Sequence, residues 1–360
     1  PEAIKRHHDM KIVYTPIHGT GLKLIPRSLA NYGFTNIIGV PEQEVLSGDF
    51  PTVASPNPEE PSAMAMAIEK AKETGAEVVM ASDPDADRIG LVIRDNNGEY
   101  VLINGNQIVM IFLNYLMTRN TELGTLTGNE YIVKTIVTTE TIRTIAEAQH
   151  IKMYDCFTGF KWIANVMREN EGKARYLGGG EESYGFLAED FVRDKDSVSA
   201  ISLMAEIAAW AKDKGLNMTD MLIDIYMKYG FSREKGISLV RKGKSGAEEI
   251  IALMKQFREN PPKEIAGSPV VTVKDFQSLV ETNVATGETK KLDMPATSNV
   301  LQYYTADRTK VSVRPSGTEP KIKFYIEVHD TLASADEYKA TEARADEKID
   351  RIAKEFGITK

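Results

Sequence analysis

Along the first third of the chain, apolar residues come in short runs separated by polar, glycine-rich or proline-rich stretches. "KIVYTPIHGTG" predicts a strand at Ile12–Tyr14 that runs into a Gly-rich turn, followed by a helix over Leu22–Tyr32 and a second strand at "NIIGV". After the proline-rich "FPTVASPNPEEP", a segment of alternating Ala and Met predicts a helix to Lys72, which leads into the strand "AEVVMA". Strand, helix, strand, helix, strand is the order expected of a parallel sheet covered by helices. In such sheets ligands bind in the loops at the carboxyl ends of strands. The loop that follows "AEVVMA" reads "DPDADR" and carries Asp83, Asp85, Asp87 and Arg88.

The pattern then starts again. "YIVKTIVTT" predicts a strand, Glu140–Gln149 a helix, "IKMYDCF" a strand and "GFKWIANVMREN" a helix, and "ARYLGGGEESYGF" a strand that ends in a second acidic loop. Two units of similar order, each closed by an acidic loop after its third strand, predict duplicated α/β domains. A long helical stretch over Ser197–Tyr229 is expected to close the second. From about Phe231 the texture changes to period-two alternation in "VVTVKDF", "VLQYYT", "KVSVRPSG" and "KIKFYIEVH", with helices around Gly246–Glu259 and Ser334–Phe356. Antiparallel strands with segregated helices indicate an α+β domain. Domain limits are placed at 1–116, 117–230 and 231–360.

Composition narrows the function. A chain of 360 residues is too long for one ordinary core, in agreement with two or three domains. Its net charge of −8 and pI near 5.4 exclude a broad positive field for nucleic acid or anionic membranes, so an anionic ligand must be held by a local basic site. Cys156 is the only cysteine, which excludes intrachain disulfides and Cys-based zinc sites and points to a reducing, cytoplasmic setting. No run approaches the roughly 18–20 apolar residues that span a bilayer. A chain opening Pro-Glu-Ala is expected to have been processed or cut from something longer.

Three stretches carry candidate chemistry. Three carboxylates at alternate positions converge if the segment is extended, and such a cluster is unfavourable unless a cation neutralises it. Oxygen-only ligands suit Mg²⁺, and Arg88 stands ready to hold phosphate beside it. The plainer reading is a solvated acidic turn with Arg88 paired to its own aspartates. "RPSGTEPK" offers the Arg314 guanidinium, the Ser316 and Thr318 hydroxyls and successive backbone N–H groups around Gly317, which is either an anion site or an ordinary hairpin connection. "GGGEESYGF" places Glu181, Glu182 and Ser183 in a glycine-flanked loop able to bond vicinal sugar hydroxyls, or simply to turn at the surface. Lys195 in "RDKDS" is a candidate phosphate ligand or acid/base group in what otherwise reads as an exposed charge run. Ser55 reads as part of a connecting loop, and His18 as a loop-packing residue.

The ordered set "TPIHGTG", "FPTVASPNPEE", "DPDADR", "TGF", "GEESYGF", "RDKD" and "RPSGTEPKIKFY" resembles the α-D-phosphohexomutases, the phosphoglucomutase/phosphomannomutase superfamily, over essentially the whole chain. The resemblance implies two α/β/α domains followed by an α+β domain like the TATA-binding protein. It implies that Asp83, Asp85 and Asp87 ligate Mg²⁺ and that Arg88 lies at the reacting phosphate. It further implies that Lys195 binds substrate or transfers a proton, that Glu181 and Ser183 contact sugar hydroxyls opposite Thr158 and Gly159, and that Arg314, Ser316, Gly317 and Thr318 grip the phosphate that does not react. The implied chemistry is reversible transfer of phosphate between O1 and O6 of a hexose, through a phosphoserine and a hexose 1,6-bisphosphate.

The family's serine loop, of the type T-A-S-H-N-P, does not occur in these residues. "KIVYTPIHGTG" corresponds to the start of the family's second domain. The expectation is therefore a chain whose partner is the N-terminal domain of the same protein, inactive without it. The rivals are a sugar-phosphate-binding protein without catalysis and a phosphatase acting through the aspartate loop.

Overall fold

The structure is a computed structural model that describes residues 2–241, 243–317 and 319–358. The short apolar runs become strands buried on both faces, as expected where helices cover a sheet. In chain order the elements are α1 (Glu2–Arg6), β1 (Ile12–Thr15), α2 (Gly21–Tyr32), β2 (Ile37–Gly39), α3 (Pro61–Thr74), β3 (Val78–Ser82), β4 (Ile89–Arg94), β5 (Tyr100–Ile103) and α4 (Gly105–Glu122). Strands β1 and β3 are buried along their whole length. They form the sheet β2-β1-β3-β4-β5, in which β2, β1 and β3 run parallel. Helix α3 buries Ala63, Met64, Ala67 and Ala71 against Val13, Val79 and Val92.

The three predicted strands run parallel as expected, and two further antiparallel strands, β4 and β5, make the sheet mixed. Strand β4 is antiparallel to β3, with Ser82 opposite Ile89. A parallel return needs a crossover of a dozen or more residues, whereas the six residues from Asp83 to Arg88 suffice only for a tight reversal. The aspartate loop is thus a hairpin connection.

A second sheet repeats this plan. Its elements are β6 (Glu130–Thr135), α5 (Thr141–Ala148), β7 (Lys152–Cys156), α6 (Phe160–Asn170), β8 (Arg175–Gly180) and β9 (Phe186–Ala188), in strand order β7-β6-β8-β9. Strands β7, β6 and β8 are parallel, and β9 folds back antiparallel on β8 through the glutamate loop. Tyr131, Val133, Phe160, Ile163 and Leu187 form its core. Strand β6 stops at Thr135, short of the predicted "IVTT", because residues 136–138 turn.

The helical stretch expected over Ser197–Tyr229 consists of two helices, α7 (Ser197–Asp213) and α8 (Met218–Tyr229). Gly215 takes a left-handed φ of 76°, and Asn217 caps the new helix, its side chain accepting from Asp220 N at 2.8 Å while Asp220 accepts from Asn217 N at 3.1 Å.

The chain divides into two compact units, one ending at Ile225 and the other starting at Tyr226. The second contains β10 (Phe231–Val240), α9 (Gly243–Glu259), β11 (Glu264–Ile265), β12 (Ser268–Asp275), β13 (Val280–Asn283), β14 (Thr289–Lys291), β15 (Leu301–Thr305), β16 (Lys310–Pro315), β17 (Lys321–Asp330) and α10 (Tyr338–Glu355). Its main sheet runs β10-β17-β16-β15-β12-β13-β14, with antiparallel neighbours throughout. Strand β10 pairs with β17 over ten residues. Phe257 of α9 packs edge-on against Phe324 of β17, which builds the α+β layer arrangement. Among the described residues, no helix is long and apolar enough to cross a membrane.

Candidate active site

The aspartates converge through a tight turn, where the sequence reading relied on an extended strand. Ala86 N bonds Asp83 O at 3.0 Å, and Ala86 takes a left-handed φ of 59°. The Asp83 carboxylate folds inward and accepts from Asp87 N at 3.0 Å and Arg88 N at 2.9 Å. Carboxylate oxygens of Asp83, Asp85 and Asp87 come within 4.8 Å of one another. Burial, with like charge from Asp87 and Asp85, pushes the Asp83 carboxyl up to about 7, although the Arg88 N–H opposes this. One oxygen of Asp87, Oδ1, is buried without a hydrogen-bond partner.

The turn is supported from two sides. From the first strand's Gly-rich turn, Thr20 donates to Pro84 O through its backbone N–H at 2.8 Å and its hydroxyl at 3.0 Å. A Cβ on Gly19 would lie 2.3 Å from Pro84 Cα, so only glycine lets these backbones approach. From the other side, Ser197 N at the start of α7 donates to Ala86 O at 3.1 Å.

Cationic groups flank the carboxylates. Lys195 Nζ lies 2.8 Å from Asp87 Oδ2, while Arg88 Nε is 3.7 Å from Asp83 Oδ2 and 3.8 Å from Asp87 Oδ1. Burial opposes the charge on Lys195, but the Asp87 carboxylate outweighs it and holds the lysine above its ordinary range. Lys195 is therefore an ammonium that carries its proton.

The glutamate loop lies against this cluster. Arg88 and Gly185 form an isolated antiparallel bridge, and Ile89 N donates to Tyr184 O at 3.1 Å. A Cβ on Gly185 would meet Lys195 Cδ at 2.8 Å and Glu181 Oε2 at 3.4 Å, which places both side chains over that backbone. Glu181 is buried, and its Oε1 accepts from Gly159 N at 2.6 Å. Burial and the neighbouring Glu182 push the Glu181 carboxyl up to about 7, against the Gly159 N–H, Lys195 and Arg88. Thr158 and Ser183 are half-buried in these same loops. The first unit thus assembles Asp83, Asp85, Asp87, Arg88, Lys195, Gly159 and Glu181 from two sheets.

In the second unit, Arg314 lies next to the end of β16 opposite Lys323 of β17, and the turn closes with Ser316 N donating to Lys321 O at 2.7 Å. Arg314 and Ser316 are half-buried, and Gly317 is exposed. Thr318, grouped with them from the sequence, lies outside the described residues. Ser55 sits in the connecting loop before α3, and His18 spans Val45 O and Thr52 Oγ1, both at 2.7 Å.

Sequence reasoning missed a buried group beneath the glutamate loop. Thr135 and Thr138 hold Glu182 Oε2 at 2.9 and 3.2 Å. Lys134, fully buried, contacts Glu140 and Asp155 at 2.9 Å each. Arg143 closes the network onto the same two carboxylates. The signal was a lysine inside an otherwise apolar strand, followed by "TIVTT".

Two mixed sheets, each with an acidic loop that reverses its third strand, meet where Arg88 bridges Gly185, and comparison with known families identifies the class of protein to which this arrangement belongs. Family models described as phosphoglucomutase/phosphomannomutase alpha/beta/alpha domain II, alpha/beta/alpha domain III and C-terminal domain match residues 2–98, 104–229 and 261–345. The chain belongs to the α-D-phosphohexomutase superfamily. It is 35% identical to a phosphoglucomutase of Staphylococcus haemolyticus over 89% of its own length and 58% of the relative's. It therefore spans somewhat over half of that relative. A phosphoglucomutase/phosphomannomutase family protein of Burkholderia thailandensis shares the fold, with a TM-score of 0.63 at 19% identity over 97% of this chain and 61% of that one. The Aspergillus fumigatus N-acetylphosphoglucosamine mutase, solved in complex with GlcNAc-6P and magnesium, matches with a TM-score of 0.51 at 13% identity, covering 97% of this chain and 68% of that one.

Proposed function

We propose that these residues form the metal- and sugar-phosphate-binding part of a phosphoglucomutase/phosphomannomutase that moves phosphate reversibly between O1 and O6 of a hexose. The observation that carries this reading is the aspartate turn, where three carboxylates within 4.8 Å include a buried Asp87 oxygen without a hydrogen-bond partner. An all-oxygen donor set of this kind fits Mg²⁺, the ion bound with a hexosamine phosphate in the Aspergillus structure. Asp83, Asp85 and Asp87 would hold it, and when bound it supplies positive charge against a transferring phosphoryl group. Arg88 offers its guanidinium to phosphate oxygens. Lys195 exchanges its contact with Asp87 for substrate and has a proton to give to a leaving oxygen. Glu181 and Ser183, facing Thr158 and Gly159, select the sugar by its hydroxyls.

The domain limits 1–116, 117–230 and 231–360 belong to this proposal, as does a cytoplasmic setting. Arg314, Ser316, Gly317 and Thr318 are assigned to the phosphate that does not react. The phosphoryl donor is a serine of the type T-A-S-H-N-P, absent from these residues, so they bind hexose phosphate and the 1,6-bisphosphate without turning either over.

Calorimetry with glucose 1-phosphate and Mg²⁺ tests the reading. Arg314→Ala is expected to weaken sugar-phosphate binding by about 1.5–3 kcal/mol, the scale of a lost charge-assisted hydrogen bond, with Mg²⁺ affinity unchanged. Failure of the unaltered protein to bind hexose phosphate in the presence of Mg²⁺ overturns the proposal. Mutase turnover by these residues alone overturns the assignment of the donor to a serine elsewhere, and steady release of free phosphate favours a phosphatase.

A further inference from the structure

The two glutamates of the second acidic loop face different ways. Glu181 points toward Gly159 and the aspartate turn, whereas Glu182 turns inward to the end of β6. Its Oε2 takes hydrogen bonds from Thr135 at 2.9 Å and Thr138 at 3.2 Å, and the two hydroxyls lie 2.9 Å apart. Thr138 Oγ1 also accepts from Glu182 N at 3.3 Å, so one hydroxyl grips both ends of the residue. Both threonines are fully buried. Beneath them, Lys134 Nζ reaches the carbonyls of Thr135 and Thr138 at 3.4 and 3.3 Å and ties the turn to Glu140. The backbone is fixed from above as well. A Cβ on Gly105 would lie 2.0 Å from Glu182 O, so the start of α4 presses directly on the loop.

We propose that Thr135, Thr138 and Glu182 are positioning residues for sugar recognition, a role that rests on the function proposed above. Glu182 makes no contact with the sugar. Anchored on two buried hydroxyls, it fixes the backbone from which Glu181 and Ser183 project on either side. A site that separates sugars by hydroxyl geometry must hold its ligands within about half an ångström, which a glycine-flanked loop cannot do without such support. The hydroxyls are needed as donors, so their loss removes binding precision even where the shape of the side chain is kept.

The test uses Thr135→Val and Thr138→Val, singly and together, against Thr135→Ser and Thr138→Ser. Glucose 1-phosphate and Mg²⁺ affinities are measured by calorimetry, and the Glu182 amide is followed by hydrogen exchange in the ligand-free protein. The double valine variant is expected to bind glucose 1-phosphate at least tenfold more weakly and to exchange the Glu182 amide at least tenfold faster. Its Mg²⁺ affinity stays within twofold, and the serine variants stay near the unaltered protein. Equal weakening of Mg²⁺ and sugar binding, or serine variants as impaired as valine ones, reduces the threonines to general structure and overturns the proposal. Unchanged sugar binding in the valine variants overturns it alone, whereas an unaltered protein that binds no hexose phosphate overturns the proposed function and this inference together. If the double variant does not fold, Glu182→Gln replaces it, with the same fall in sugar affinity expected at unchanged Mg²⁺ affinity.

Discussion

The two acidic loops of the first unit sit at equivalent places, each reversing the chain from a third, parallel strand into an antiparallel neighbour. Their carboxylates behave in opposite ways. In the first loop Asp83, Asp85 and Asp87 converge within 4.8 Å and leave a buried Asp87 oxygen without a hydrogen-bond partner. In the second, Glu181 and Glu182 diverge, one onto a backbone N–H and the other onto two hydroxyls. Convergence concentrates negative charge that only a cation can offset. Divergence spends each charge on the protein, so that loop gains a fixed shape. The same topological position gathers its carboxylates in one copy and anchors them separately on the protein in the other.

The largest expected effect breaks the second loop's foundation. Lys134→Met strands Glu140, Asp155 and Arg143 in a network that lacks its central ammonium, and should destabilise the protein by about 3–5 kcal/mol. Urea unfolding measures this, and a loss below about 1 kcal/mol would show that the network reorganises freely. Under conditions where the variant is folded, Mg²⁺ affinity should be retained, because the aspartate turn is held by Gly19, Thr20 and α7 instead.

A second prediction concerns pH. Glu181 is held near 7 in the folded protein against 4.5 for an unburied glutamate. The folded state therefore keeps its proton more tightly, and the stabilisation this gives is complete below about 4.5 and is lost as pH rises through about 7. Glu181→Gln removes that dependence and should make the protein more stable than the original at pH 8, by roughly 2–3 kcal/mol. Parallel stability curves for the two proteins between pH 4.5 and 8 would refute the buried-carboxyl account.

The first loop is tested by Gly19→Ala. The added Cβ must displace Pro84, and a cost of about 1–3 kcal/mol is expected together with weaker Mg²⁺ binding. Thermal unfolding and calorimetry check both, and unchanged Mg²⁺ affinity would mean that the turn keeps its geometry without this support. The smallest effect on stability belongs to Asp85→Asn. Relief of like-charge repulsion should raise metal-free stability slightly, while Mg²⁺ affinity falls about tenfold or more.

The fold was legible where periodicity was strong. Apolar runs marked β1, β3 and β6, and period-two alternation marked β15, β16 and β17. Strand β10 escaped notice because "FSREKGISLV" is charged and only partly buried. Helix α4 escaped because it is apolar on nearly every side and shows no amphipathic stripe to read. The break between α7 and α8 turned on one left-handed glycine and a reciprocal cap.

The sequence by itself determined the chemical kinds at the site: three carboxylates and an arginine in one loop, two glutamates and a serine in another, and a lysine in a third. It did so because catalytic and binding groups cluster in short loops whose residue types can be read directly. Only the tertiary structure decided which groups meet. The bridge from Arg88 to Gly185 and the contact of Lys195 with Asp87 join segments about a hundred residues apart in the chain, whereas each hairpin reversal pairs strands that are neighbours in sequence. No local pattern encodes the direction of a carboxylate either. Glu181 and Glu182 are adjacent and chemically alike, and their opposite fates are set by a backbone amide at Gly159 and two hydroxyls at the end of β6, which reach them only when the sheets are assembled.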